Sequence, residues 1–279
     1  MLIPWLHLTR SFLSTRTFRR IASAVILCSL YSGAIELCQK YVFKQDVQFT
    51  SSMHILMAFA ISIALGYKTN ASYDRWWEAR KQWGNNLAAA RSFSALVLGL
   101  SKVPKEAKQQ ALQLLLEFSI ALKDHVRNQW PKPSNRPLEI HLQQILQISA
   151  WRDQGWISGK DFQILEQHLS SRVLVLGACE RLRGNLLPPT HRVLGQQLVS
   201  TYILVMPWGM VSHLSNVLLV AGISYALLGL AAVSEDIEEP FGLESDDLDL
   251  DGLCGSVQRS VDLMLAKLDS QDLPLAGEP

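Results

Sequence analysis

Apolar and charged positions along this chain are segregated rather than mixed. From Val193 to Ser234 there is no Asp, Glu, Lys or Arg, about twice the ~20 residues that one membrane-crossing helix needs. Met206-Pro207-Trp208-Gly209 divides this run, because proline removes a backbone donor and glycine loosens a helix. Two helices in a hairpin are predicted, at about 193–208 and 212–233. A second apolar pair stands near the start. Ile21 to Cys38 is the first helix. Met53 to Gly66 is the next apolar run, short for a full crossing. It continues into Tyr67-Lys68-Thr69-Asn70-Ala71-Ser72-Tyr73-Asp74-Arg75-Trp76-Trp77-Glu78-Ala79-Arg80 without a proline. The pattern predicts one long helix that leaves the membrane as it goes, with its polar residues facing water or protein rather than lipid.

Between these pairs the pattern changes to that of water-exposed amphipathic helices. Ser101 is positioned to cap a helix with Pro104 in its first turn. Ala107, Ala111, Leu114, Leu115, Phe118 and Leu122 then recur at helical spacing. Trp130 to Pro137 is rich in proline and predicts a loop, after which a further helix runs to about Trp151. Ser158-Gly159-Lys160-Asp161 has the form of a capping box opening another helix, which ends near Gly184-Asn185. After Glu235 the chain turns acidic, Pro240-Phe241-Gly242 makes a turn, and Leu250 to Leu268 reads as a last amphipathic helix.

The expected class is therefore an all-α integral membrane protein with four transmembrane helices and a helical cytosolic region. The segments are 1–20 (cytosolic N-terminal segment), 21–100 (first two membrane helices and the cytosolic extension of the second), 101–192 (cytosolic helices), 193–234 (last two membrane helices) and 235–279 (acidic tail and terminal helix). Arg10, Arg16, Arg19 and Arg20 precede the first apolar run. That run is too long for a signal core and is followed by more apolar segments, so an uncleaved helix is expected. Four passes put both termini on one side. The basic residues before the first helix and after the second place that side in the cytoplasm of a cell-membrane protein.

Charge and cysteines narrow the picture further. The formal net charge is +1, the bases are scattered and the acids cluster near the end, which argues against nucleic-acid binding. Cys28, Cys38, Cys179 and Cys254 form no CxxC or Cys/His pattern and read as small apolar residues. The seven histidines lack metal spacing, and His213, inside the charge-free run, reads as a hydrogen-bonded helix packer. No catalytic constellation is present: the membrane segments lack paired acids. An enzyme, a metal centre and a resident cofactor are not expected.

Gly66 to Arg80, with its Arg75-Trp76-Trp77 core, resembles the signature of prokaryotic bestrophin homologues. Glu238-Glu239-Pro240-Phe241-Gly242 followed by Asp246-Asp247-Leu248 resembles the second signature of that family. The likeness extends over about residues 3–268. It implies a homopentameric ion channel in the bilayer, with one central pore passing chloride or other monovalent ions, four membrane helices per subunit and a narrow apolar neck on the second helix. Position matching puts the neck on Phe59, Ile63 and Tyr67 and a second, cytosolic constriction on Leu187. The i, i+4, i+8 spacing independently puts the three neck residues on one helix face, where symmetry would stack them as apolar rings that gate by dewetting. An ordinary packing stripe is the plain alternative.

Tyr67 stands where the resemblance leads one to expect phenylalanine, and its hydroxyl makes the lowest ring partly polar. Phe59 is aromatic, and the positive edge of an aromatic ring favours anions, so anion conduction is the leading reading. A sodium channel of the same fold and a non-conducting membrane-anchored scaffold are the alternatives. In animal members the acidic segment resembles a calcium clasp. The matching positions here are Asp236, Glu239, Glu244 and Asp247, with the oxygen ligands calcium takes. Leu243 and Ser245 interrupt the acidic run, and a solvated linker is the alternative.

Overall fold

A computed structural model describes residues 16–43, 51–127, 134–185, 188–210, 213 and 215–270. Among them the regular structure is helical. We number the α-helices α1 (Arg16–Cys38), α2 (Ser51–Gly99), α3 (Lys105–Arg127), α4 (Arg136–Asp153), α5 (Gly159–Gly184), α6 (Pro189–Val205), α7 (Ser215–Asp236) and α8 (Leu250–Ser270). A π-turn, Gln39–Phe43, follows α1, and a 3-10 turn, Met206–Gly209, follows α6. The chain divides into two compact units, one from 1–74 and 187–238, the other from 75–186 and 239–279. The long α2 contributes to both.

The first unit holds α1, the start of α2, α6 and α7. Its core is small: Ile61 and Leu65 of α2 are buried with Val199 and Ile203 of α6. Helices α1 and α7 pack closely, with Gly33 beside Val217 and Gly229 beside Ile21, small residues letting the backbones approach. The break at Met206–Gly209 falls where proline was expected to put it. Polar groups at the break are bonded by Tyr31 of α1 and by Gln39 just after it. The Tyr31 hydroxyl donates to the Leu204 carbonyl (3.1 Å), the Trp208 indole donates to the Tyr31 oxygen (2.8 Å), and the Gln39 amide donates to the Trp208 carbonyl (3.1 Å). Such compensation is what lets a broken helix persist in lipid. His213 lies in the connection before α7, not in a helix, and its carbonyl accepts from the Asn216 N–H. α6 begins at Pro189 rather than near 193, because a proline favours the first turn of a helix and the absence of charge marks apolarity, not helix ends.

The second unit is built the other way round, with apolar side chains inside. α3 carries Ala111, Leu112, Leu115, Phe118, Leu122 and Val126 on one buried face. They pack against residues of α2, α4, α5 and α8 in two clusters. The capping box at Ser158 is present: its hydroxyl accepts from the Asp161 N–H, and the Asp161 carboxylate accepts from the Ser158 N–H. Ser101 does not cap α3. The helix starts at Lys105, its first bond running from the Lys108 N–H to the Pro104 carbonyl (3.1 Å). Proline disfavours helical geometry in the residue before it, so Val103 cannot be drawn into the helix. Lys108 instead reaches back to cap the end of α2, donating to the Leu98 carbonyl at 3.2 Å. Its burial lowers its pKa.

One charge lies wholly inside this unit. Arg172 is 0% exposed. Its guanidinium donates to the Asn86 carbonyl oxygen (2.9 Å), the Leu115 carbonyl (2.7 Å) and the Ser119 hydroxyl (3.0 Å), over the face of Phe118. Burial pulls it down to about 9, so it remains charged at neutral pH, held by dipoles and a ring quadrupole.

Candidate functional site: the exposed stripe of the long helix

Helix α2 presents two faces between residues 59 and 72. Successive residues turn by about 100°, which sets Ile61, Leu65, Lys68 and Ser72 on one side and Phe59, Ile63 and Tyr67 on the other. Ile61, Leu65 and Lys68 are 1%, 2% and 5% exposed, whereas Phe59, Ile63 and Tyr67 are 65%, 58% and 58% exposed. The three side chains are therefore brought onto one outward stripe and are not sealed within the chain's own bundle. The stripe continues through Asn70 and Asp74, which are also exposed. Thus an apolar segment passes along one helix line into a polar one.

The parts of the two sequence signatures that fall in the second unit, 75–80 and 239–248, are held together there. The Trp76 indole donates to the Asp246 carbonyl (3.0 Å), and Phe241 is buried beside Trp83 and Phe118 in the core. Arg75 donates to the Leu182 and Asn185 carbonyls at the end of α5 (2.6 and 2.5 Å), satisfying groups that a helix terminus leaves open. Glu78 pairs with Lys81 (2.6 Å).

The four acidic positions have these surroundings. Asp236 accepts from Arg20 (3.0 Å). Glu239 pairs with Arg183. The Asp247 carboxylate turns back to accept from the Glu244 N–H (2.6 Å), lies against Gly242 where a Cβ would collide with it, and is held above the usual carboxylate range by burial. Among the described residues no group of three or more His, Cys, Asp or Glu side chains converges. Leu187 lies outside the described residues.

Two residues that the sequence reading passed over are Lys68 and Glu235. Each carried a signal. Lys68 is a cation within a turn of the apolar run of α2, and Glu235 is the first acid after the charge-free run. Lys68 Nζ lies 3.4 Å from Glu235 Oε1.

Comparison with known proteins agrees with this architecture. Residues 3–263 match the family described as Bacterial/Fungal Bestrophin protein. The chain belongs to the bacterial and fungal bestrophin family. It is 31% identical over 278 residues to a voltage-dependent anion channel-forming protein of Mesorhizobium japonicum, covering 91% of this chain and 88% of that one. To a protein of the same description from Synechocystis it is 28% identical over 265 residues, covering 87% and 86%. The crystal structure of a bacterial bestrophin homologue from Klebsiella pneumoniae has a TM-score of 0.82 at 26% identity, covering 88% of this chain and 98% of that chain. With helices Arg19–Phe43, Ser52–Gly99 and Ser215–Asp236 long and apolar enough to cross a bilayer, this bestrophin is a membrane protein.

Proposed function

We propose that this bestrophin is an anion channel whose pore is lined by the exposed stripe of α2, repeated around an axis by identical subunits. The observation that carries the reading is the two-faced helix. Its inner face packs against α6, while Phe59, Ile63 and Tyr67 stand out together. Three stacked rings at one-turn intervals, two apolar and the lowest partly polar, form a neck that dehydrates a passing ion unless it wets. The polar continuation through Asn70 and Asp74 would receive the ion beyond the neck. Relatives named as voltage-dependent anion channel-forming proteins and the aromatic edge of Phe59 favour anions. Five subunits per ring follow from the family likeness.

The fourth crossing in this reading is α6, which has 17 residues, the short end of the range that spans a bilayer; the turn Met206–Gly209 lengthens it. Both termini are then cytoplasmic, and Leu187 forms the second constriction on that side. Calcium is not required: the acidic segment acts as a structural turn, its carboxylates taken up by Arg20, Arg183 and the Glu244 N–H.

Recording from purified protein in planar bilayers under asymmetric sodium chloride tests the reading. A reversal potential near that of chloride is expected. A value near that of sodium supports the cation alternative, and absence of current supports the scaffold. Micromolar calcium should leave the current unchanged, and Leu187→Ala should change the chloride-to-sodium permeability ratio.

A further inference from the structure

Lys68 is a charged residue buried on the packed face of α2 near the neck, and its burial needs explaining. A buried ammonium is costly without a partner, and here the partner is on another helix. Glu235, in the last turn of α7, takes Lys68 on Oε1 at 3.4 Å and the Gln196 amide of α6 on the same oxygen at 2.7 Å. Arg20 of α1 donates to Glu235 Oε2 at 2.6 Å and to Asp236 at 3.0 Å. One residue further along, the Thr69 and Ser234 hydroxyls lie 2.7 Å apart and share a hydrogen bond. Each also lies within bonding distance of the carbonyl four residues earlier in its own helix, Leu65 for Thr69 and Leu230 for Ser234; one hydroxyl donates across to the other, and the one that accepts donates to its own carbonyl. All four membrane-region helices of the unit therefore meet at one polar node, and two consecutive residues of α2 tie into it.

The node lies directly behind Tyr67. Residues 67 and 68 are adjacent in sequence, yet one faces outward and the other is buried. Rotation of α2 about its axis is the motion that would carry Tyr67 away from the axis of the proposed pore. An ion pair and a hydroxyl bond on the opposite face resist that rotation directly, whereas the apolar contacts of Ile61 and Leu65 are less directional.

We propose that Lys68 and Glu235 are positioning residues for the lowest ring of the neck: the pair sets the rotation of α2 and so the aim of Tyr67. This rests on the neck reading above. The pair is not itself in the ion path, since Lys68 is buried on the far side of the helix.

The test is single-channel recording of Lys68→Met, Lys68→Arg, Tyr67→Ala and the Lys68→Met/Tyr67→Ala double variant. Thermal stability and oligomer size are measured on each. Lys68→Met should assemble as the wild type does, yet show a unitary conductance altered by about twofold or more, with additional current levels. Lys68→Arg, which keeps the charge, should restore wild-type currents. In the Tyr67→Ala background, Lys68→Met should make no further difference, because the ring it aims is gone. If Tyr67→Ala alters conductance but Lys68→Met does not, the positioning role is wrong and the neck stands. If the two effects simply add, Lys68 acts by another route and the proposal falls. If Tyr67→Ala changes nothing, the lowest ring is not in the neck, and both ideas fail. Should Lys68→Met fail to assemble, cysteines at Thr69 and Ser234 provide the second measurement: locking them by oxidation should narrow the spread of current levels, and an unchanged spread overturns the role.

Discussion

The two units of this chain place their apolar residues in opposite ways. In the second, Leu112, Leu115, Phe118 and Leu122 of α3 are all fully buried in a large shared core, although Leu142, Leu146, Leu174 and Leu263 also stand exposed on its outer faces. In the first, Ile26, Leu27 and Leu30 of α1, Leu56 and Phe59 of α2 and Leu218 of α7 are exposed in the single chain. The same physical force explains both. Apolar surface leaves water wherever it can, and a helix surrounded by lipid or by other subunits has no need to turn such residues inward. What differs is the solvent. The second unit folds around its own core, whereas the first presents an apolar surface suited to a bilayer.

That contrast can be broken by truncation. Leu112→Ala should destabilise the protein by about 2–5 kcal/mol, the cost of a core cavity, whereas Leu218→Ala should change stability by less than about 0.5 kcal/mol. Thermal unfolding in a bilayer-mimicking detergent reads both; equal losses would mean that Leu218 packs as a core residue. Next comes Ser158→Ala, which removes the capping box of α5 and should cost about 1 kcal/mol.

A smaller effect concerns pH. Hydrogen bonds from Lys123 and Arg127 of α3 hold Asp251, at the start of α8, down at about 2. A carboxylate with a depressed folded-state pKa stabilises fully above its unfolded value of about 4 and loses that contribution as pH falls from about 4 to about 2. Asp251 is largely exposed, so the pair is worth less than about 1 kcal/mol. Asp251→Asn should lower the melting temperature slightly at pH 7 and flatten its decline over that acid window. A variant that melts like the wild type at pH 7 and shows the same acid decline would remove the tie from the account. Smallest in stability are Phe59→Ala and Ile63→Ala, which should unfold as the wild type does within about 0.5 kcal/mol while raising the unitary current, because widening an apolar constriction favours wetting.

Much of the fold was legible because its signals are local. Pro207 and Gly209 mark the break in the charge-free run, Ser158 and Asp161 mark a helix start three residues apart, and the lack of proline from Met53 to Gly99 allows one continuous α2. The rest depended on neighbours, in sequence or in space, rather than on a residue's own preference. Ser101 has the chemistry of a cap, but Pro104 sets the helix start. Arg172 resembles a surface arginine in the sequence, yet Asn86, Leu115 and Ser119, from two other helices, make a buried site for it. The node of Lys68 and Glu235 joins residues 167 positions apart, and no periodicity connects them. The stripe of Phe59, Ile63 and Tyr67 was legible as a face, from spacing alone; in the proposed channel what that face meets is set by other copies of the chain, which no pattern within one chain specifies.

The central claim is that ions pass along the line of Phe59, Ile63 and Tyr67. The direct measurement is charged thiol-reagent modification of Ile63→Cys during bilayer recording, on a background with Cys28 and Cys38 replaced by serine, alongside Ile26→Cys on α1 as the lipid-facing control. Stepwise loss of current at Ile63→Cys with none at Ile26→Cys is the predicted result. Currents through Ile63→Cys that the reagent leaves untouched, with the cysteine shown to be present, would contradict it.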